Sequence, residues 1–508
     1  MTDSSFRIQA VTIAALIIFA AAMVFVGLKT RKSAKTLDAF LLGNRGVGAW
    51  MSAFAYGTTY FSAVIFIGYA GKQGWDIGLG GVWIGIGNAI LGCLIAWLVL
   101  ARRSRLMTHS LNAKTMPEFF EGRYDSSNIK FFSAVVIFIF LVPYSAAVYK
   151  GLGSLFNTIF PSVSVNVCML IVACLTSFFL VLGGYLASVY TDFIQGLIML
   201  FGVGAMVLIV VSNPAVGGAG SVVSRLKAID PGLVSAYGGK YFTFLCTNIL
   251  LTSFGTWGLP QMVSKFYAVK DEAAIKKATI ISTFFSAFIG IGAYFVGSLS
   301  RLYLAELPAA GYDAVIPQML LKALGNNLFS NLVLAVVLIL LLSASMSTLS
   351  AIVLTSASAI SVDLAPHIVK GWRKNWQMKG MRALCLLFVT LSYIFATMQI
   401  AIIVSIMSFS WGIVSGSFIG PYLWGLYWKK TTRIGAWAGM LGGFLTVVIA
   451  TIITAATAGF AAASANAPVF GVSAMAVSLA VTPLVSLFTR PPAESIIRKV
   501  WKGIETDI

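Results

Sequence analysis

Long apolar runs, separated by short polar connections, dominate this chain. They lie near 8–28, 46–71, 78–101, 130–150, 163–183, 188–212, 241–262, 275–301, 329–361, 383–398, 401–427, 434–457 and 468–489. A helix needs about 20 apolar residues to cross a bilayer. The pattern therefore predicts an all-α polytopic membrane protein with about 13 transmembrane helices, its two ends on opposite sides.

Two of these runs carry helix-breaking text. The second reads Met-Ser-Ala-Phe-Ala-Tyr-Gly-Thr-Thr-Tyr-Phe-Ser-Ala (51–63), with small and β-branched residues around Gly57 in mid-membrane. The seventh reads Thr-Ser-Phe-Gly-Thr-Trp-Gly-Leu-Pro-Gln (252–261), where Gly255, Gly258 and Pro260 work against a continuous helix. They are five runs apart, so runs 2–6 and 7–11 fit two inverted repeats of five helices, an arrangement that places a binding site at the paired breaks. The competing reading is a pair of tolerated kinks. The ninth run adds Ser343-Ala-Ser-Met-Ser-Thr-Leu-Ser350, five hydroxyls in eight residues. On a helix, Ala344, Ser347, Thr348 and Ala351 share one face. The Ser347 and Thr348 hydroxyls with the Ala344 carbonyl make half of a cage for a hard cation, and a broken partner helix offers carbonyls for the other half. Back-bonding of these hydroxyls to their own helix is the plainer alternative.

Charge sets the expected orientation. The 508 residues are 59% hydrophobic and 10% charged, with net charge +19. The clusters at 29–45, 102–130, 265–277, 370–382, 429–433 and 490–502 hold 5, 6, 4, 5, 3 and 4 Lys/Arg, 27 in all, against 8 on the opposite side. Such alternation follows the positive-inside rule rather than a nucleic-acid stripe, and it predicts an external N-terminus and a cytoplasmic C-terminus. The basic flank after the first run and Asp3 and Arg7 before it argue against a signal peptide. The five cysteines all lie in apolar runs and are expected as free thiols, and His109 and His367 sit in basic loops. Neither a phosphate-cradling Gly-Lys-Ser/Thr loop nor a nucleophile–base pair appears, which argues against direct ATP drive and against an enzyme.

Among 16 acidic residues, Asp192 alone falls inside a long apolar run. A carboxylate at that depth costs about 2.5 to 3.5 kcal/mol on insertion scales and marks an ion or proton path, unless it caps a helix near the surface.

Three stretches carry a family likeness: Gly-Gly-Tyr-Leu-Ala-Ser-Val-Tyr-Thr-Asp-Phe-Ile-Gln-Gly (183–196), Met-Ser-Thr-Leu-Ser (346–350) and Gly-Leu-Tyr-Trp-Lys-Lys-Thr-Thr-Arg-Ile-Gly-Ala-Trp-Ala-Gly-Met-Leu-Gly-Gly (425–443). With Leu-Leu-Gly-Asn-Arg (41–45) and Gly-Leu-Pro-Gln (258–261), the chain resembles the sodium:solute symporter family from about residue 36 to 445. The resemblance implies a LeuT-type 5+5 inverted-repeat core. The divisions expected are a peripheral helix and first cytoplasmic loop (1–45), a first repeat (46–212), an external loop (213–240), a second repeat (241–428), and two peripheral helices with a tail (429–508). It implies Na⁺ as coupling ion, with no organic cofactor, and a multi-pass protein of the plasma membrane. The main Na⁺ site would fall on the carbonyls of Thr58, Phe61 and Ala344 and the hydroxyls of Ser347 and Thr348. Asp192 matches a carboxylate that in some relatives joins a second Na⁺ site, here with Ser347 and Ser350. One hydroxyl of that site is Ala351 in this chain, and Asp192 is alternatively a station on the Na⁺ release path.

The expected solute is small and organic: an amino acid such as proline, or a carboxylate such as pantothenate or a monocarboxylate. Val64 and Ile65 stand where sugar carriers place polar ligands, which disfavours a sugar. Thr59, Tyr60, Thr256, Trp257 and Gln261 are the candidate pocket residues, each with ordinary packing as the alternative. The rivals are H⁺ coupling through Asp192, a membrane sensor on a transporter scaffold, and a channel. No obligate protein partner is expected.

Overall fold

The computed structural model describes residues 3–30, 36–160, 162–323, 328–369 and 374–505. Parts of three expected connections, at 31–35, 324–327 and 370–373, lie outside the described residues. The regular structure is helical, with one isolated parallel bridge between Val47 and Val269. The helices that matter here are α1 (Asp3–Thr30), α2 (Ala49–Tyr60), α3 (Met116–Tyr124), α4 (Ser127–Ile159), α5 (Val165–Ser212), α6 (Phe242–Gly258), α7 (Pro260–Tyr267), α8 (Glu272–Ser298), α9 (Leu328–Ser358), α10 (Lys374–Thr397), α11 (Ile403–Tyr427) and α12 (Arg433–Leu487).

Among the described residues, 9 helices are long and apolar enough to cross a membrane, or 10 if the bent pair α6–α7 is one span. The count is lower than the number of apolar runs partly because α5 and α12 are each two helices meeting at a glycine. Gly184 (φ 57°, ψ −146°) and Gly459 (φ 86°, ψ 164°) have non-helical torsions that a side chain rarely adopts. At Gly184 a Cβ would also lie 2.6 Å from the Phe40 ring.

The second run breaks, but not at Gly57. That residue is helical and lies under the Phe285 ring of α8, so its missing side chain serves close packing. The helix ends instead at Tyr60, and Phe61 is extended (φ −99°, ψ 119°). The run Thr58-Thr59-Tyr60-Phe61 is β-branched and aromatic, poor in helix propensity. The seventh run breaks at Leu259 (φ −82°, ψ 119°), as expected of a residue before proline, and Pro260 opens α7 at a bend of 49°. Small residues let α6 approach α11: a Cβ at Gly255 would lie 2.6 Å from the Trp411 ring, and one at Gly258 2.7 Å from the Ser415 carbonyl oxygen.

The periphery is apolar and exposed, as in Phe201, Leu208, Ile280 and Phe284, which suits a lipid-facing surface rather than an aqueous one. Buried polar groups concentrate inside. The Arg123 side chain, 1% exposed, donates to the carbonyls of Gly425 and Trp428 at 2.9 Å each, tying α3 to the end of α11. Arg45 donates to the Ala113 carbonyl at 2.7 Å. Two of the stretches singled out in the sequence thus lie at interhelical staples. Between residues 302 and 328 a short helix spans Val315–Ala323, with Val315, Ile316, Met319 and Leu320 buried. All five cysteines are free thiols.

Candidate functional site

Once α2 stops at Tyr60, the carbonyls near its end lose their intrahelical donors. The hydroxyl face of α9 meets them there. Thr348 Oγ1 lies 3.0 Å from the Thr59 carbonyl oxygen, 3.5 Å from that of Thr58 and 3.1 Å from that of Ala344. Ser347 Oγ donates to Thr58 Oγ1 at 2.8 Å, and Thr58 Oγ1 donates in turn to the Phe54 carbonyl at 2.8 Å. Beyond the break, Ala63 N–H donates to Ser345 Oγ at 3.0 Å, so α9 holds both ends of the interruption. All these residues are buried. The result is a buried cluster of carbonyl and hydroxyl oxygens, the chemistry of a hard-cation site.

Four of the five residues expected to hold Na⁺ therefore converge: Thr58, Ala344, Ser347 and Thr348. Phe61 is next to them on the extended segment; its N–H donates to the Gly57 carbonyl at 3.2 Å and its ring packs on Tyr60. The Thr59 carbonyl joins the cluster although the sequence reading placed Thr59 in the solute pocket.

Asp192 is fully buried within α5 and caps nothing, which removes the surface-cap reading. Its Oδ2 lies 3.5 Å from Lys265 Nζ on α7 and accepts from Ser188 Oγ at 3.4 Å, while Ser347 adjoins the same carboxylate. Ser350 is turned elsewhere, donating to the Met346 carbonyl at 2.6 Å. Lys265 was counted from the sequence among the loop charges of 265–277. The structure corrects this: the side chain is 2% exposed and points inward to Asp192. A second acid, Asp363, is also fully buried, accepting from Thr115 Oγ1 at 2.9 Å with Lys130 Nζ 3.7 Å away. A charge at the end of an apolar run reads the same whether it snorkels outward or pairs inward, so neither pair was visible in the text. A cavity of about 30 Å³ borders one member of each pair, lined in part by Lys114, Tyr185, Gln261, Lys265 and Asp363. It lies at the bundle end that carries the basic clusters.

Other ion pairs link the elements at the opposite end. Lys150 Nζ lies 2.9 Å from Asp313 Oδ2 and donates to the Ala401 carbonyl at 2.7 Å. Asp313 also accepts from Ile403 N–H, at the start of α11, at 3.3 Å. Lys72 pairs with Asp76 at 2.8 Å, and Tyr312 O–H donates to Asp76 at 3.0 Å.

The candidate pocket residues separate into two groups. Tyr60 O–H donates to the Thr252 carbonyl at 2.7 Å, Thr256 Oγ1 to the Gly92 carbonyl at 3.1 Å, and Trp257 Nε1 to the Leu91 carbonyl at 3.0 Å. Those polar atoms are engaged within the protein. Among the described residues, Thr59 Oγ1 and Gln261 Oε1 are buried without a hydrogen-bond partner, and the Trp411 ring of α11 stacks on Tyr60 with centroids 6.5 Å apart. The sequence does not single out Trp411, since an aromatic in an apolar run carries no mark of its own. Among the described residues, no group of three His, Cys, Asp or Glu is placed to hold a metal.

The profile of the sodium:solute symporter family matches residues 40–443. The chain is 28% identical over 432 residues to the high-affinity proline transporter PutP of Bacillus subtilis, covering 84% of this chain and 89% of that protein. It is 28% identical over 426 residues to the sodium/pantothenate symporter of Haemophilus influenzae, covering 82% and 84%. Against the sodium/proline symporter of Staphylococcus aureus, identity is 29% over 428 residues, covering 82% and 81%. Among solved structures, the substrate-bound outward-open state of a Na⁺-coupled sialic acid symporter superposes with a TM-score of 0.77 at 17% identity, covering 95% of this chain and 98% of that one. A nucleobase-cation-symport-1 transporter, Mhp1, closed on bromovinylhydantoin, superposes with a TM-score of 0.50 at 14% identity, covering 91% and 97%. Both are neighbours of the LeuT type and bear on the fold. The chain belongs to the sodium:solute symporter family, and its work is Na⁺-coupled solute transport, not enzymatic catalysis.

Proposed function

We propose that the chain imports a small carboxylate-bearing solute, an amino acid such as proline or an acid such as pantothenate, across the plasma membrane together with Na⁺. The observation that carries the reading is the meeting of Thr348 Oγ1 with the carbonyls of Thr58, Thr59 and Ala344 at the broken α2. In this reading Na⁺ binds among those oxygens, with Ser347 and the Phe61 carbonyl completing the set. It thereby fixes the interrupted helix, and the solute binds beside the same break, near Thr59, Tyr60, Thr256, Trp257 and Gln261. The two ligands then stabilise one closed state, a reciprocal coupling of about 1 to 3 kcal/mol. The half-helices that begin after the two breaks, at Val64 and at Pro260, offer N-terminal N–H groups, so in this reading an anionic solute needs no dedicated cation.

The topology belongs to the same proposal: 13 spans, with the breaks at Gly184 and Gly459 dividing α5 and α12, the N-terminus outside and the C-terminus cytoplasmic. Helices 2–6 and 7–11 are the two repeats, 46–212 and 241–428, and the last two spans, after residue 429, are peripheral. With that orientation the cavity beside Lys265 faces the cytoplasm and the Lys150–Asp313 contact closes the outside, an inward-facing arrangement. The rival, H⁺ coupling through Asp192, is disfavoured by the ammonium of Lys265 beside that carboxylate.

The test is uptake of radiolabelled proline, pantothenate and short monocarboxylates into proteoliposomes, each with an inward Na⁺ gradient, an inward H⁺ gradient or neither. Accumulation of at least one solute under the Na⁺ gradient alone is expected. Uptake that follows the H⁺ gradient, or is equal in all three conditions, overturns the proposal.

A further inference from the structure

Asp192 and Lys265 form a pair with no obvious structural need. They sit on α5 and α7, helices already packed by apolar contacts, and side-chain exposure is 0% for the acid and 2% for the base. Replacing such a pair by apolar groups commonly leaves a protein as stable or more so, so burial alone does not explain it. Its position is informative. From the cation cluster the path runs Thr58 Oγ1, Ser347 Oγ, Asp192, Lys265, and Lys265 borders the cavity at the basic end of the bundle. The carboxylate thus stands directly behind the Na⁺ site, on the way out.

The oxygen count at Asp192 is also telling. Ser188 and Ser347 supply hydroxyls beside the carboxylate, but Ser350 donates to its own helix and Ala351 supplies none. What faces Asp192 in place of further oxygens is the Lys265 ammonium, held also against the face of Tyr185 with Nζ 5.2 Å from the ring centroid. The remaining charged groups on the cavity wall are Lys114 and Asp363, and Asp363 has Thr115 and Lys130 for partners.

We propose that Lys265 is a tethered cation that takes the place of a second Na⁺ at Asp192, so that the carrier binds a single Na⁺ per cycle and returns empty without a bare carboxylate in its core. This rests on the Na⁺ cluster proposed above. The physical reason is the return step. A carrier that has released its ions must reorient, and an unpaired buried carboxylate makes that state costly unless it takes up a proton. An ammonium on the half-helix α7 moves with the protein and keeps Asp192 neutralised throughout.

The experiment is equilibrium binding of ²²Na⁺ to the purified full chain in detergent, in buffer free of other Na⁺ at about pH 9, well above the ordinary carboxylate range. The variants are Lys265→Arg, Lys265→Met, the double variant Asp192→Asn with Lys265→Met, and Thr348→Ala in the wild-type and Lys265→Met backgrounds. Wild type and Lys265→Arg are expected to bind about one Na⁺ per chain, Lys265→Met about two, and the double variant about one again. A purely structural ion pair would change stability but not this stoichiometry. Two Na⁺ in the wild type, or a Lys265→Met protein that elutes as a single peak and still binds one, overturns the proposal. Should Lys265→Met not be recovered folded, Lys265→Gln takes its place, with the same gain of one Na⁺ expected and its absence overturning the proposal. Thr348→Ala separates the two readings: it should abolish the wild-type Na⁺ and spare the increment gained in Lys265→Met. If it leaves wild-type binding intact, the cluster reading fails, while the Lys265→Met increment still decides the role of Lys265.

Discussion

Thr348 does more than its neighbours because a single hydroxyl approaches carbonyls from two helices. It lies between 3.0 and 3.5 Å from the Thr58, Thr59 and Ala344 oxygens, so losing it removes one ligand of the proposed Na⁺ site and leaves the freed carbonyls of α2 without their partner. An unsatisfied buried polar group costs about 1 to 3 kcal/mol, and Thr348→Val should weaken Na⁺ activation of uptake by roughly 5- to 150-fold at near-normal expression. Ser347→Ala should act in the same direction, since it removes the bond to Thr58 Oγ1. Half-saturating Na⁺ measured in proteoliposomes checks both, and an unchanged value for Thr348→Val would exclude it from the site. Much of this cluster could be read from the sequence because helical spacing alone brings Ala344, Ser347 and Thr348 to one face. Lys265, Asp363 and Trp411 could not. Their roles depend on which way a side chain turns at the end of a run, and no periodicity records that.

The elements divide in the same way. The break before Pro260 follows from local rules: a residue preceding proline avoids the helical region and a proline opens the next helix, and the structure has both. The break in α2 was foreseen in the right run but at the wrong residue, because Gly57 looks like a breaker and is instead a packing position under Phe285. Gly258 is a packing position as well as a neighbour of the bend. A methyl group there would meet Ser415 backbone at 2.7 to 2.8 Å, and backbone cannot swing aside as a side-chain tip can. Gly258→Ala is therefore expected to separate α6 from α11 and to cost about 1 to 3 kcal/mol. A thermal melt in detergent should show a clear fall in Tm. An unchanged Tm would mean that the α6–α11 contact is looser than these distances imply. At the other end of the bundle, Thr115 both caps α3, accepting from Glu118 N–H at 3.1 Å, and donates to Asp363. Thr115→Ala should cost about 1 kcal/mol for the cap alone, and more for the buried acid it abandons.

For the whole molecule, the proposed inward-facing state depends on contacts at the far end. Asp313 accepts from Lys150 and from the first N–H of α11, so one carboxylate joins the loop before α9 to α4 and to a helix start, where the helix dipole favours an anion. Both side chains are mostly buried, 17% and 9% exposed, and the contact falls short of a fully desolvated pair. Asp313→Asn removes the charge and keeps the shape. It leaves Lys150 facing a neutral amide and weakens the dipole contact, a loss of about 1 to 2 kcal/mol that falls only on the state in which this end is closed. Such a shift raises the fraction open on that side by roughly 5- to 30-fold if the closed state dominates. Ser405, 6% exposed near the start of α11, is a suitable reporter. In a background with the five native cysteines replaced by serine, a cysteine at position 405 should react with an impermeant maleimide faster in Asp313→Asn than in the parent. Adding Na⁺ should raise the parent's rate toward that of the variant, because an ion that enters from outside binds preferentially to the form open on that side. Equal rates in both proteins, with and without Na⁺, would show that the Lys150–Asp313 contact does not govern access and that the closed end is held by packing alone.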